Sequence, residues 1–362
     1  MKKIFFLPKY TEKGPSSRYR FYQYIPFFEK NNFEVIINPL LTDEYFDCIN
    51  NKMAFSKYKL LILYFKRISF ILKLKKNDVL FIQHELLPYF SSFFEWYITK
   101  LIRVKYVVDF DDAIFHTYDK NKNLLVRLLF SNKIPNVIKR ASFVISGSPY
   151  LTQFSEKYNK NVIEIPTSID LIKYQINEKI KDENEDVFII GWIGSKTTSV
   201  NLLEIIPSLL KFSSRFNMKL KLIGFDDNLV YKLEDINYEL ITWSSETEVK
   251  VMKSFDVGIM PLIDIPFING KCGFKLIQYM ACGLPTISTP FEANTKINRN
   301  NKNLHATTME EWYIVLKNIY DDLNTFKLIG NENLYIVNEF YSIQINNKKY
   351  IEIFDSINKI VK

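Results

Sequence analysis

Cysteine is scarce in this chain of 362 residues: Cys48, Cys272 and Cys282 are few, odd in number and scattered. That excludes a disulfide scaffold, and the three read as reduced thiols in a cytosolic protein. Histidine is equally scarce (His84, His116, His305), and with no close Cys or His pairs a zinc site has nothing to be built from. Long uncharged apolar runs are missing too; none reaches the roughly 18 residues of a membrane span. The N-terminus, Met1-Lys2-Lys3-Ile4-Phe5-Phe6-Leu7-Pro8, lacks the sustained apolar core and small-residue cleavage site of a signal peptide. It reads instead as a buried first strand. No internal repeat is visible.

What is present describes a globular chain. Apolar residues make up 47%, charged residues 24% and aromatic residues 15%, which excludes a disordered chain. The net charge is +8, from 48 Lys and Arg against 40 Asp and Glu, and it is unevenly spread. Residues 1–180 hold 28 basic and 17 acidic side chains; residues 181–362 hold 20 and 23. A basic half joined to a slightly acidic half implies two parts with different partners. The length suits two domains, each able to bury its own core.

Short apolar runs alternate with helical stretches, and they do so twice. Strands are expected at 2–7, 33–37, 79–83, 104–109, 142–146 and 161–165, then at 187–192, 218–223, 239–242, 256–260, 285–288 and 303–306. Helices are expected at 18–30, 57–74, 88–102, 122–139 and 149–158, then at 199–214, 245–254, 272–281 and 309–323. Such alternation implies parallel sheets covered on both faces, hence two doubly wound Rossmann-like α/β domains. The polar segment 177–186 is the linker candidate between residues 1–176 and 187–341. Apolar spacing in 342–362 predicts a terminal helix packed on another element. In such folds ligands sit beyond the carboxyl ends of the strands, so the site is expected in the cleft between the domains.

Five stretches could carry chemistry. After the first strand, Gly14 permits close backbone approach, Ser16 or Ser17 can cap a helix, and Arg18 adds a cation in its first turn. A plain capped turn accounts for these residues equally well. After strand 187–192, Gly194 and Ser195 could open a backbone nest for phosphate, with Lys196 as a point charge. The stretch Asn269 to Pro285 reads as a Gly-bearing loop, a short helix, a Gly stop and a strand opened by Pro. Lys271 and Lys275, four apart, are expected on one face near that helix start. Cations there oppose the helix dipole unless an anion such as a diphosphate lies between them, or unless both simply face solvent. Asp109-Phe110-Asp111-Asp112 crowds three carboxylates at a strand end. Either a pKa rises or a cation binds, and ordinary capping remains open. His116 follows shortly and could act on a substrate hydroxyl, while His84-Glu85 ends strand 79–83 in the same way. Finally, residues 52–76 carry eight basic side chains and no acid among many apolar ones. That pattern fits an interfacial membrane element, or a sheet-covering helix with solvated ends.

In this order, these loops resemble the GT-B glycosyltransferases of family 4 (glycosyl transferases group 1), which transfer sugars from nucleotide donors with retention. The strongest stretch is Phe255-Asp256-Val257-Gly258-Ile259-Met260-Pro261-Leu262 followed by Gly270 through Pro285. The loops Gly14 to Arg18, Asp109 to Asp112, Ile165 to Asp170 and Gly191 to Thr198 are similar as well. The resemblance implies that Gly273, Phe274 and Lys275 face the donor's phosphate or sugar. It places Ser195 and Lys196 by the diphosphate with Lys271 or Lys275 as further countercharge, and Gly14 beneath the phosphates with Arg18 lining the cleft. Asp112 or His116 would approach the transferred sugar or the acceptor hydroxyl. The resemblance also implies a C-terminal helix that crosses back to the first domain. One departure stands out: the family's two Glu, seven residues apart, are Gly270 and Gln278 here. Gln278 could still meet ribose hydroxyls; Gly270 cannot replace a carboxylate. A strand end that often carries His in the family reads Asp111.

The expectation is therefore a metal-independent, retaining glycosyltransferase. It would add sugar to a glycan or lipid-linked precursor of a surface polysaccharide, in the cytoplasm or at the inner membrane face. Lysines and helix amides would stabilise the leaving diphosphate. The missing carboxylates leave two alternatives: a catalytically silent GT-B binding protein, or a nucleotide-sugar epimerase of the same architecture. No nucleic-acid module is recognisable, so no nucleic-acid partner is expected.

Overall fold

A computed structural model describes residues 2–51, 53–175 and 187–361. The linker candidate 177–186 lies outside them. The chain divides into two compact units. Unit 1 comprises residues up to Ser168, Pro266–Cys272 and everything from Asn346 on; unit 2 comprises Ile169–Ile265 and Gly273–Ile345. Sequence alternation gave no hint that the short segment Pro266–Cys272 joins the first unit, because nothing in its composition differs from its flanks.

In unit 1 the strands are β1 (Lys2–Leu7), β2 (Phe33–Ile37), β3 (Val79–Gln83), β4 (Lys105–Phe110), β5 (Phe143–Ser146) and β6 (Val162–Glu164). They form one parallel sheet in the order β2-β1-β3-β4-β5-β6. Its helices are α1 (Pro15–Arg20), α2 (Ile25–Lys30), α3 (Asp43–Asn50), α4 (Lys57–Leu72), α5 (Phe93–Trp96), α6 (His116–Asp119), α7 (Leu124–Phe130), α8 (Lys133–Arg140) and α9 (Pro149–Glu156). Every residue of β3 is buried, as a strand covered on both faces requires.

Unit 2 repeats the plan. Strands β7 (Phe188–Ile193), β8 (Met218–Ile223), β9 (Tyr238–Ile241), β10 (Val257–Met260), β11 (Thr286–Ser288) and β12 (Leu304–His305) form a parallel sheet, order β12-β11-β10-β7-β8-β9. Around it lie α10 (Val200–Leu203), α11 (Ile206–Ser213), α12 (Glu248–Met252), α13 (Phe274–Ala281), α14 (Glu292–Ile297), α15 (Met309–Asp321) and α16 (Leu323–Ile336), and α17 (Ile343–Val361) ends the chain. Both sheets thus have the parallel α/β architecture expected from the sequence. Each has a switch point where strand order reverses, between β1 and β3 in unit 1 and between β7 and β10 in unit 2. Ligands of open α/β sheets bind beyond the carboxyl ends of the strands at such points.

From Asn346 on, α17 packs on unit 1. Tyr350 lies 4.2 Å from the ring of Tyr24, and Phe354 meets Phe28 and Phe81 edge-on at 5.2 and 5.3 Å. Edge-on aromatic pairs add to their burial, so this cluster fixes the helix against the sheet.

Several helices depart from expectation. The helix expected over 18–30 begins at Pro15 and breaks at Phe21 before restarting at Ile25. The helix expected over 122–139 is α7 and α8, and that over 199–214 is α10 and α11. Each restart places a proline (Pro26, Pro135, Pro207) in a first turn, where its missing N–H costs nothing and its ring cannot clash with a preceding turn. Ser16 and Ser17 do not cap α1; they lie inside it, and Gly14 is the N-cap. The sequence reading did not anticipate α3, α6, α14 or α16.

Candidate functional site

Unit 2 assembles its residues at the carboxyl ends of β7 and β10. Tyr279 of α13 ties that helix to both strands. Its hydroxyl accepts from the Ile193 N–H at 2.9 Å and donates to the Ile259 carbonyl at 3.1 Å. One turn earlier, the Lys275 ammonium stands 4.5 Å above the buried ring of Trp192, the residue two before Gly194. An ammonium over an indole face is attracted by the ring's quadrupole, which fixes its position at the strand end. Gly194 has no room for a side chain, since a Cβ would lie 2.2 Å from the Trp192 ring. Its carbonyl is also approached by Gly224, whose left-handed backbone (φ +72°) brings the loop after β8 against the loop after β7. Ser195 opens a 3-10 turn closed by a reciprocal capping box with Thr198. Lys196, in that turn, pairs with Asp227 at 3.3 Å, a weak surface pair.

Gly273 is the N-cap of α13 in a left-handed conformation (φ +64°) that only glycine adopts without strain. Being glycine, it offers no side chain to cap the helix. Phe274 is the first residue of α13. Behind Gly273 sits Asn294 of α14, which donates to the Thr289 carbonyl at 2.8 Å. Its buried Oδ1 has no hydrogen-bond partner and lies 3.0 Å from where a Gly273 Cβ would be. An unsatisfied buried acceptor costs free energy and is rare in native proteins. The indole N–H of Trp192 is in the same condition. No sequence signal marked Asn294; Trp192 stood in the Gly191–Thr198 motif without being singled out. Gln278, one turn beyond Lys275, is buried and donates to the Tyr174 hydroxyl at 3.3 Å.

Lys271 does not share a helix face with Lys275. It is extended (φ −62°, ψ 139°), precedes α13 and belongs to unit 1, where its ammonium lies 2.8 Å from Asp112. Spacing of four means a shared face only when both residues are helical. In this loop Cys272 donates its thiol to the Asp111 carbonyl at 2.9 Å, and burial pushes that thiol well above its ordinary pKa. Ser148 donates to the Gly270 carbonyl at 3.2 Å. A Cβ on Gly270 would fall 2.5 Å from the Ala113 side chain and 2.6 Å from its backbone nitrogen. Position 270 is thus filled by neighbouring chain.

The three carboxylates at the end of β4 and just beyond it each meet one basic side chain. Arg20 clamps Asp109 with two bonds of 2.9 and 2.5 Å, both side chains fully buried, and donates to the Ile165 carbonyl at 2.8 Å. His84 meets Asp111 at 2.6 Å between Nε2 and Oδ1. Lys271 meets Asp112. Burial acts to raise the Asp111 pKa, but the hydrogen bond and charge of His84 outweigh it and hold the carboxyl below its ordinary value. Burial likewise acts to lower Lys271, and the Asp112 carboxylate outweighs it and holds the amine above its ordinary value. His84 has a left-handed backbone (φ +63°), a strained state that recurs at functional sites. Register brings this pair together: Gln83 of β3 lies opposite Asp109 of β4.

His116 is engaged at both ring nitrogens, by Asp119 and by the Tyr150 hydroxyl, each at 2.8 Å. Gly14 is buried against Tyr10, and Arg18 reaches the Glu12 carbonyl at 3.5 Å and stacks on Tyr19 at 5.0 Å. The structure therefore groups Gly194, Ser195, Lys196, Gly273, Phe274, Lys275 and Gln278 in unit 2. It pairs Asp112 with Lys271 in unit 1 and leaves His116 in a separate cluster there. Among the described residues, no three or more His, Cys, Asp or Glu side chains are placed to hold a metal ion. No helix among them is long and apolar enough to cross a membrane.

Residues 185–322 match the family model described as Glycosyl transferases group 1. No curated protein sequence matches the chain. Solved structures do match. A glycosyltransferase from Rickettsia africae superimposes with a TM-score of 0.73 at 14% identity, over 98% of both chains. Anabaena HepE, solved with UDP and glucose, gives 0.71 at 13% identity, over 98% of this chain and 100% of that one. Sucrose-phosphate synthase from Thermosynechococcus elongatus gives 0.74 at 12% identity, over 99% of each. At such identities these likenesses show the fold, which is GT-B.

Proposed function

We propose, for a chain with a GT-B fold whose residues 185–322 are those of a group 1 glycosyltransferase, that it transfers a sugar from a nucleotide-sugar donor to an acceptor hydroxyl. The observation that carries this reading is the placement of Lys275 over Trp192 beside the Gly194–Thr198 turn, at the switch point of unit 2. A cation and a helix N-terminus opened by glycine meet there, and both favour a diphosphate. The UDP bound by HepE supports the same assignment.

In the reaction, the bond between the sugar's anomeric carbon and the donor phosphate oxygen breaks, and its electron pair stays on the diphosphate. Lys275, Lys196 and the first turn of α13 meet the charge that develops. Groups placed on charge that appears only in the transition state lower the barrier most. The acceptor oxygen bonds to the anomeric carbon from the side the phosphate leaves, and its proton passes to the departing phosphate oxygen. This retaining course needs no protein nucleophile, in keeping with Asp112 and His116 being held in pairs. Retention, a glycan or lipid-linked precursor of surface polysaccharide as acceptor, and work in the cytoplasm rest on the family resemblance alone.

One observation favours a second reading. Gly270 is packed against Ala113, so no carboxylate can stand where the family carries Glu. A silent protein of this fold, binding without transfer, would look the same at that position. NMR of UDP-, GDP- and CDP-sugars incubated with the protein and candidate glycan acceptors decides. The proposal expects acceptor-dependent nucleotide release and a product with the donor's anomeric configuration. Conversion of the donor's sugar to its epimer without acceptor would indicate an epimerase, and no consumption would indicate a silent binder.

A further inference from the structure

Unit 1 carries an apolar surface that its own core does not use. Helix α7 packs Val126 and Phe130 onto the core around β4, and turns Leu124, Leu125, Leu128 and Leu129 outward at 57, 65, 70 and 70% exposure. Helix α4 behaves alike. Leu60, Leu63, Tyr64 and Ile68 pack around Leu87 with Phe94, while Leu61 and Phe65 are 55 and 67% exposed. The two helices are joined by a chain of rings: Tyr64 to Phe90 at 5.8 Å, then neighbouring Tyr89 to Tyr118 at 5.5 Å, and Tyr118 to Phe130 at 6.0 Å. Right-handed crossovers between β2, β3, β4 and β5 put α4, α5 and α8 on one face of the sheet, which accounts for the continuity. Monomeric proteins rarely expose contiguous apolar surface of this kind without a partner.

The charge around this surface selects the partner. No Asp or Glu occurs in residues 53–77, 96–108 or 120–155, the segments that build it. Exposed Lys57, Lys66, Lys73, Lys100, Lys120 and Lys122 lie among or beside the apolar residues. The acids beside it are already engaged: Glu44 pairs with Lys59 at 2.5 Å, Asp78 accepts from the Lys75 N–H, Glu85 meets Lys133 and the Tyr118 hydroxyl, Glu95 is buried, and Asp119 meets His116 at 2.8 Å. A second copy of the chain would bring these cations against one another, which disfavours self-association through this face. Leucine and aromatic side chains ringed by lysines match the boundary of an anionic lipid layer, where apolar groups enter the acyl region and amines meet phosphates.

We propose that unit 1 docks on anionic phospholipid membranes through α7, α4 and the aromatic loop between them. The docking surface stands on unit 1 alone. Its use, bringing the site to a lipid-linked acceptor, rests on the glycosyltransferase reading. The surface is wider than the basic stretch at 52–76, because the most exposed leucines belong to α7.

Co-sedimentation of the full chain tests this, with phosphatidylcholine vesicles containing about 30% phosphatidylglycerol and with pure phosphatidylcholine. Wild type should partition onto the anionic vesicles, less so as salt rises, and weakly onto the neutral ones. The pair Leu128→Gln and Leu129→Gln should weaken binding about tenfold or more. The set Lys66→Gln, Lys73→Gln, Lys75→Gln and Lys76→Gln should weaken it comparably. All replaced side chains are exposed, so the melting temperature should not move. Binding unchanged by the leucine pair, or indifferent to lipid charge, or absent, overturns the proposal. So does sedimentation velocity showing a wild-type dimer that the leucine pair dissociates. UDP titration of the leucine pair should match wild type, which keeps a failure of docking apart from a failure of the donor site.

Discussion

Lys271 lies 2.8 Å from Asp112, and this pair separates two lysines that their spacing would put side by side. Lys275, four residues on, belongs to the other unit and stands over Trp192. The two should therefore fail differently when removed. Lys271→Ala leaves Asp112 without its cation and should cost about 1–3 kcal/mol of stability, read by urea denaturation. Its donor affinity should stay near wild type. Lys275→Ala should leave stability nearly unchanged and weaken donor binding.

Gly273→Ala should lower both stability and donor affinity. The left-handed backbone alone costs about 1–2 kcal/mol for a residue with a Cβ. That Cβ would also fall 2.3 Å from Ile297 Cδ1, so that side chain has to shift. Thermal unfolding and UDP titration on the same sample check both effects.

Gly270→Glu should not restore a family-like site. The new side chain would start 2.5 Å from the Ala113 side chain and 2.6 Å from its backbone nitrogen. Overpacking of this kind costs about 1–3 kcal/mol or more. The variant should unfold earlier than wild type and show no gain in donor turnover.

His116→Gln should cost about 1–2 kcal/mol, because the ring joins Asp119 to Tyr150. Donor affinity should be unchanged, since both ring nitrogens are taken up within this cluster. A loss of UDP binding in calorimetry would contradict that structural role.

Asp111 makes stability depend on pH at the acid end. Its folded pKa is below the ordinary 3.8 because His84 favours the charged form over the cost of burial. Its contribution is therefore complete above the unfolded value and is lost as pH falls through the lower folded one. The melting temperature of wild type should fall more steeply over that window than that of Asp111→Asn.

Much of the fold was legible because parallel strands buried on both faces read as unbroken apolar runs. Val79–Gln83 and Phe188–Ile193 are buried throughout and were visible for that reason. Helix breaks were not read, although Pro26, Pro135 and Pro207 mark them. At the site, the Gly-loop-helix pattern pointed to Gly273 and Lys275. Lys271 was misplaced because spacing carries no information about where a helix begins. The His84–Asp111 pair could not be read at all: the residues are 27 apart and meet only through the register of β3 on β4. Asn294 was equally silent, since its buried free acceptor exists only once α14 closes on Gly273.

Calorimetric titration of UDP and UDP-sugars into wild type, Lys275→Ala and Lys271→Ala tests the central claim most directly. The account predicts saturable binding to wild type, binding about tenfold or more weaker in Lys275→Ala, and near-wild-type binding in Lys271→Ala. Equal affinity in wild type and Lys275→Ala, or binding lost only with Lys271, would contradict it.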